Sequence, residues 1–97
     1  MGLNPKFDAL LARMADLHDR KSADYACDEN RYSNFESAAA TAGCSTDLVF
    51  AVLIGIKLAR LKELAKGKEP NNESVQDSRL DLAVYSALWA SYRTPLP

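Results

Sequence analysis

Residues 72–92, NESVQDSRLDLAVYSALWASY, decide the fold. Wound at about 100° per residue, Leu80, Ala83, Val84, Ala87 and Leu88 form one apolar band, and Val75, Leu82, Tyr85 and Trp89 form a second. Only the sector of Gln76, Arg79 and Ser86 reads as solvated, which predicts a helix buried around most of its circumference. Asp81 projects opposite that solvated sector, between the two bands, with Asp77 one turn before it and Glu73 two turns before. An unpaired ion in such a place costs several kcal/mol even after relaxation, so Asp81 requires a cation, a metal, a ligand or a proton from elsewhere.

The segment just upstream supplies a cation. The loop Gly67 to Asn72, GKEPNN, is short and carries both Gly and Pro, so the helices on either side of it are expected to form an antiparallel hairpin. Ser45 or Thr46 caps the preceding helix, which runs to about Lys66 and stops at Gly67. Its first half, LVFAVLIGI (48–56), is apolar on every side, as befits either the central helix of a bundle or half of a subunit interface. Its second half is amphipathic through Ile54, Leu58, Leu61, Leu64 and Ala65, with Lys57 in the middle of the apolar face and Arg60 at its edge, while Lys62 and Lys66 point away. With Lys66 near Glu73 at the turn, residue numbers across the hairpin add to about 138, which sets Lys57 opposite Asp81 and Arg60 near Asp77 or Ser78.

Further out, Asn4-Pro5 starts a first helix, with Asn as cap and Pro in the first turn. Phe7, Leu10, Leu11, Met14 and Leu17 make its apolar stripe, and His18, Lys21 and Tyr25 continue the same face with polar groups. From Cys27 to Asn34 the run CDENRYSN lacks periodicity and reads as a loop suited to ligand contacts. Ser33 and Glu36 have capping-box spacing ahead of a short alanine-rich helix, Phe35 to Ala42, that stops at Gly43 and is anchored by Phe35. The tail after Arg93, TPLP, does not continue a helix. The expectation is one all-α domain over residues 1–97: a small bundle of three long helices and one short, the last two an antiparallel hairpin.

Composition bounds the function. In 97 residues, 47% hydrophobic and 26% charged, there is room for one modest core. A net charge of -1 and a pI near 5.7 argue against a nucleic-acid polymer or an anionic membrane as the main partner. The two cysteines, Cys27 and Cys44, show no CxxC or Cys/His spacing and read as reduced thiols of a cytoplasmic protein. The start shows no signal-peptide pattern, and the longest apolar run, Leu48 to Ile56, is about half the ~20 residues of a membrane span. That run is nonetheless more than a four-helix monomer of this size needs to cover, so at least a homodimer is expected.

Three helices thus place ionisable groups on core-facing positions: Lys21 and Tyr25, then Lys57 and Arg60, then Asp77 and Asp81. Such clusters inside helical bundles are where ligand and metal sites are commonly built; a buried salt-bridge network of Lys57 with Asp81 and Arg60 with Asp77 would need no ligand at all. The chain has no Gly-rich phosphate loop, so a nucleotide would be held by side chains.

The series His18-x-x-Lys21-x-x-Asp24-Tyr25-Ala26, Asn34-Phe35, Lys57-x-x-Arg60-Leu61 and Asn72-Glu73-Ser74-x-x-Asp77-x-x-x-Asp81-Leu82-Ala83-x-Tyr85 resembles small phage and bacterial proteins of the nucleotide-modification-associated domain type. Those are more distantly similar to MazG-like all-α nucleotide pyrophosphohydrolases, helical and often oligomeric, in which an E-x-x-E on one helix faces an E-x-x-D on the next and the carboxylates bind Mg²⁺. Here Asp77 and Asp81 approximate the second motif, whereas the helix that would carry the first presents Lys57 and Arg60. Two cations in place of two metal ligands remove most of the charge that would hold Mg²⁺ and favour direct contact with phosphate. The resemblance therefore implies a small phosphorylated ligand, a nucleotide above all, among Lys21, Asp24, Tyr25, Lys57, Arg60, Asp77 and Asp81, with Tyr25, Tyr32 or Tyr85 stacking on a base. One alternative is an enzyme, a Mg²⁺-dependent pyrophosphohydrolase with Glu73, Asp77 and Asp81 on the ion. Others are a phage-type protein that sequesters a host nucleotide signal without chemistry, and a structural helical interaction module.

Overall fold

The computed structural model describes residues 4–25, 30, 32–69 and 74–93, with side chains described except at 20–25 and 93. Within them the chain is all-α, with helices α1 (Pro5–Tyr25), α2 (Ser33–Ala42), α3 (Thr46–Ala65) and α4 (Val75–Arg93), three long and one short. By backbone contacts the chain gathers into two compact units, Met1–Asn34 and Phe35–Pro97.

In the first unit, α1 begins where the Asn-Pro signal places it. The Asn4 side chain accepts the Phe7 amide at 3.0 Å, satisfying a donor that the first turn leaves open, and its carbonyl accepts the Asp8 amide as the first bond of the helix. Of the expected loop, Asn30 and Tyr32 form a turn into α2: the Asn30 side chain accepts the Tyr32 amide at 3.0 Å, and the Asn30 carbonyl accepts the Ser33 amide at 3.1 Å. Ser33 is the first residue of α2, and the Asn turn leads directly into it.

In the second unit, α2 ends at Gly43, whose φ of 69° is open to glycine at little cost, and the chain turns through 97° into α3. Ser45 caps α3, its hydroxyl accepting the Leu48 amide at 3.1 Å. The helix stops at Lys66 and Gly67, the latter at φ 96°. Ser74 caps α4, accepting the Asp77 amide at 3.0 Å.

Helices α3 and α4 run antiparallel, and their register is the one the loop length implies. Both Lys57–Asp81 and Arg60–Ser78 join residues whose numbers sum to 138. At the other end of the hairpin Phe50, fully buried, is the hub of an aromatic cluster. Phe35 of α2 stacks on it at 4.5 Å between centroids, Trp89 lies nearly parallel at 6.2 Å, and Tyr92 is tilted at 5.9 Å. Tyr85 meets Phe35 edge-on at 6.4 Å. Phe35 thus anchors the short helix, as its position in an otherwise alanine-rich segment implies.

No single helix among the described residues is long and apolar enough to cross a membrane. Cys44 is a half-buried free thiol, and Cys27 lies outside the described residues.

Candidate functional site

The inner face of the α3/α4 hairpin changes character along its length. Beyond the aromatic hub, toward the connecting loop, it becomes polar. Lys57 Nζ lies 3.1 Å from Asp81 Oδ2, with the two side chains only 17% and 16% exposed. The carboxylate that the apolar bands of α4 leave stranded is therefore matched by the lysine that the apolar face of α3 leaves stranded. Coulomb attraction at this distance is worth far more in a shielded setting than at a surface.

One turn further, the Arg60 Nε–H donates to Ser78 Oγ at 2.9 Å, and Ser78 is fully buried. A serine hydroxyl at the centre of a helix pair needs such a partner, because an unsatisfied one costs about 1 to 3 kcal/mol. Among the described residues, no buried side-chain nitrogen or oxygen lacks a hydrogen-bond partner. Arg60 is half-buried, in keeping with its place at the edge of the apolar face, whereas Lys62 and Lys66 are exposed as expected.

Asp77 corrects the sequence reading. It was expected to face inward with Asp81, and its side chain is exposed. The reason is where the helix starts: with Ser74 as cap and Val75 as the first helical residue, Asp77 belongs to the first turn. There the helix dipole and open amides favour a carboxylate in solvent. The neutral Ser78 takes the place beside Arg60 that Asp77 was also expected to fill.

The remaining predicted site residues divide by position. Lys21, Asp24 and Tyr25 fall on the last turns of α1, and their side chains lie outside the described residues, as does Glu73. Tyr32 is half-buried in the first unit, and Tyr85 packs edge-on against Phe35 in the core of the second rather than standing ready to stack on a base.

As a metal set, Asp77 and Asp81 do not fit a divalent ion. Asp77 is exposed, and Asp81 already faces an ammonium group that would repel a cation. Among the described residues no group of three or more His, Cys, Asp or Glu side chains could hold a metal.

Two polar contacts escape the sequence reading. Trp89 Nε1–H donates to Asp47 Oδ1 at 2.8 Å, and Tyr92 O–H donates to Glu36 Oε2 at 2.9 Å. Both acids sit in first turns, where an acid is ordinarily explained by the helix dipole. The hairpin register could have found the first, since it brings Asp47 to within a turn of Trp89; Glu36, on α2, lies outside the hairpin and carries no such signal.

No protein-family description, no curated protein and no solved structure matches the chain.

Proposed function

We propose that the protein binds a small phosphorylated ligand, a nucleotide above all, at the polar end of the α3/α4 hairpin. The observation that carries this reading is the placement of two cations, Lys57 and Arg60, one turn apart on the inner side of α3, each held by a partner on α4. Asp81 and Ser78 fix the directions of the two side chains and so lower the entropy that a phosphate would otherwise have to overcome in ordering them. A guanidinium and an ammonium so held present charge-assisted donors to phosphate oxygens. The resemblance of the Lys57-x-x-Arg60 and Asp77-x-x-x-Asp81 series to nucleotide-modification-associated proteins selects a nucleotide among such ligands.

Binding without chemistry is favoured over pyrophosphate hydrolysis, because Asp81 is engaged by Lys57 where the hydrolase would need it on Mg²⁺.

Calorimetry with mono-, di-, tri- and cyclic nucleotides, each with and without Mg²⁺, tests the reading. The expected result is binding that does not require the metal and returns the ligand intact. Arg60→Ala should weaken that binding by about 1.5 to 3 kcal/mol, the range for a hydrogen bond to a charged group, with the helical fold retained because Arg60 is only half-buried. Absence of binding across the whole panel would show the cluster to be a structural ion pair. Metal-dependent turnover would show the hydrolase instead.

A further inference from the structure

The polar end of the α3/α4 hairpin has a charge balance as well as a geometry. On its inner side Lys57 and Arg60 stand against Asp81, which leaves one positive charge over. Asp77, exposed and one turn before Asp81 on α4, sets a second carboxylate at the margin. The other described charges at this end of the two helices leave that balance as it is. Glu63 is matched by Lys66 at 3.5 Å, and exposed Lys68 is followed by exposed Glu69. Lys62 and Arg79 are exposed on the far sides of their helices.

Resting on the reading that this end binds a phosphorylated ligand, we propose that it selects a phosphate with a single negative charge, a phosphodiester, and that Asp81 is the residue that sets this specificity. Lys57 meets any ligand with Asp81 already 3.1 Å from its ammonium group. A terminal phosphate monoester carries about 1.5 to 2 negative charges at pH 7, more than the positive charge left over. The surplus would face the Asp81 carboxylate, whose side chain is largely shielded from water, so that salt screens the repulsion poorly. A triphosphate adds a charge with each further phosphate and extends them past two carboxylates, Asp77 and Asp81.

A phosphodiester matches the balance. It carries one charge and keeps two unesterified oxygens, one for Lys57 and one for Arg60. Spacing agrees with a single phosphate. Three residues of helix separate the two cations by a rise of about 4.5 Å, which two oxygens of one phosphate span through hydrogen bonds of about 2.8 Å. Asp81 thus both orients Lys57 and cancels its charge, and Ser78, which is neutral, orients Arg60 without doing so.

Calorimetry on the full chain tests the proposal, at neutral pH, low ionic strength and without divalent metal. The probes, for each common ribonucleoside, are the 5′-monophosphate, its methyl ester and the 5′-triphosphate. Esterification removes the second charge of the monophosphate and leaves base, sugar and phosphate in place. The methyl ester is expected to bind no more weakly than the monophosphate and about tenfold more tightly than the triphosphate, the effect of a unit charge several ångströms away in a partly shielded site. Asp81→Asn keeps an oxygen beside Lys57 and removes the charge, so it should reverse the order and set the monophosphate ahead of its ester. Should that variant fold poorly by circular dichroism, Asp77→Asn, at an exposed position, should shift the ratio of ester to monophosphate affinity in the same direction by a smaller factor. A folded variant in which all probes weaken together and the ratio stays unchanged gives Asp81 a structural role only and overturns the proposal. A wild-type protein that prefers the triphosphate without metal overturns it too, and leaves the phosphate-binding reading standing. Binding of no probe at all removes that reading and the specificity with it.

Discussion

The ion pair of Lys57 and Asp81 was legible residue by residue. Each is a charge in the wrong sector of an otherwise apolar wheel, and the loop length alone aligned them, so two independent lines led to the 3.1 Å contact. Asp77 was misread for the complementary reason. A helical wheel assigns a face without regard to the end of the helix, and a residue in the first turn is governed by caps and open amides rather than by the stripe further along. The pair itself makes a sharp prediction. Lys57→Met removes the ammonium group facing a shielded carboxylate and should destabilise the protein by about 3 kcal/mol, the lower end for breaking a buried pair because each side chain keeps some exposure to water. Adding Asp81→Leu removes that carboxylate, so the double variant should recover most of that stability in urea titration. A double variant as unstable as Lys57→Met alone would mean that the cost lies in lost packing, not in the charge of the carboxylate.

At the level of elements, the four helices and their stops follow from local chemistry: Asn4 and Ser45 at starts, Gly43 and Gly67 at ends. Those signals are legible because capping uses only neighbours in sequence. The start of α4 was set too early, since Asn72 and Ser74 are both acceptable caps and pattern alone does not choose between them; the hydroxyl of Ser74 accepting the Asp77 amide identifies the cap. Ser74→Ala is therefore expected to cost about 1 kcal/mol, measured as a shift in the urea midpoint with unchanged slope. The aromatic hub was only partly legible. Phe35 announced itself as the one large apolar residue of a small helix, but the polar tips of Trp89 and Tyr92 reach acids 42 and 56 residues away, and no local pattern carries such pairings.

At the scale of the whole molecule, the all-round apolar run of α3 had two readings, central helix or subunit interface, and burial divides the run between two faces. Phe50 is fully buried at the hub while Leu48, Val52 and Ile56 remain exposed, so the run serves an intrachain core on one side and leaves an apolar face on the other. If a second copy covers that face, folding and association are linked, and stability must depend on protein concentration. Raising the concentration of a fully dimeric protein about 40-fold adds about 1 kcal/mol per chain, enough to raise Tm by about 4 to 8 °C in a domain of this size. Trp89, the single tryptophan, reports the transition from the heart of the α3/α4 pair, stacked on Phe50 and tied to Asp47. Wild-type Tm should climb with concentration while that of Val52→Glu stays flat. Two flat curves would mean that the exposed side of α3 contributes nothing to holding the fold.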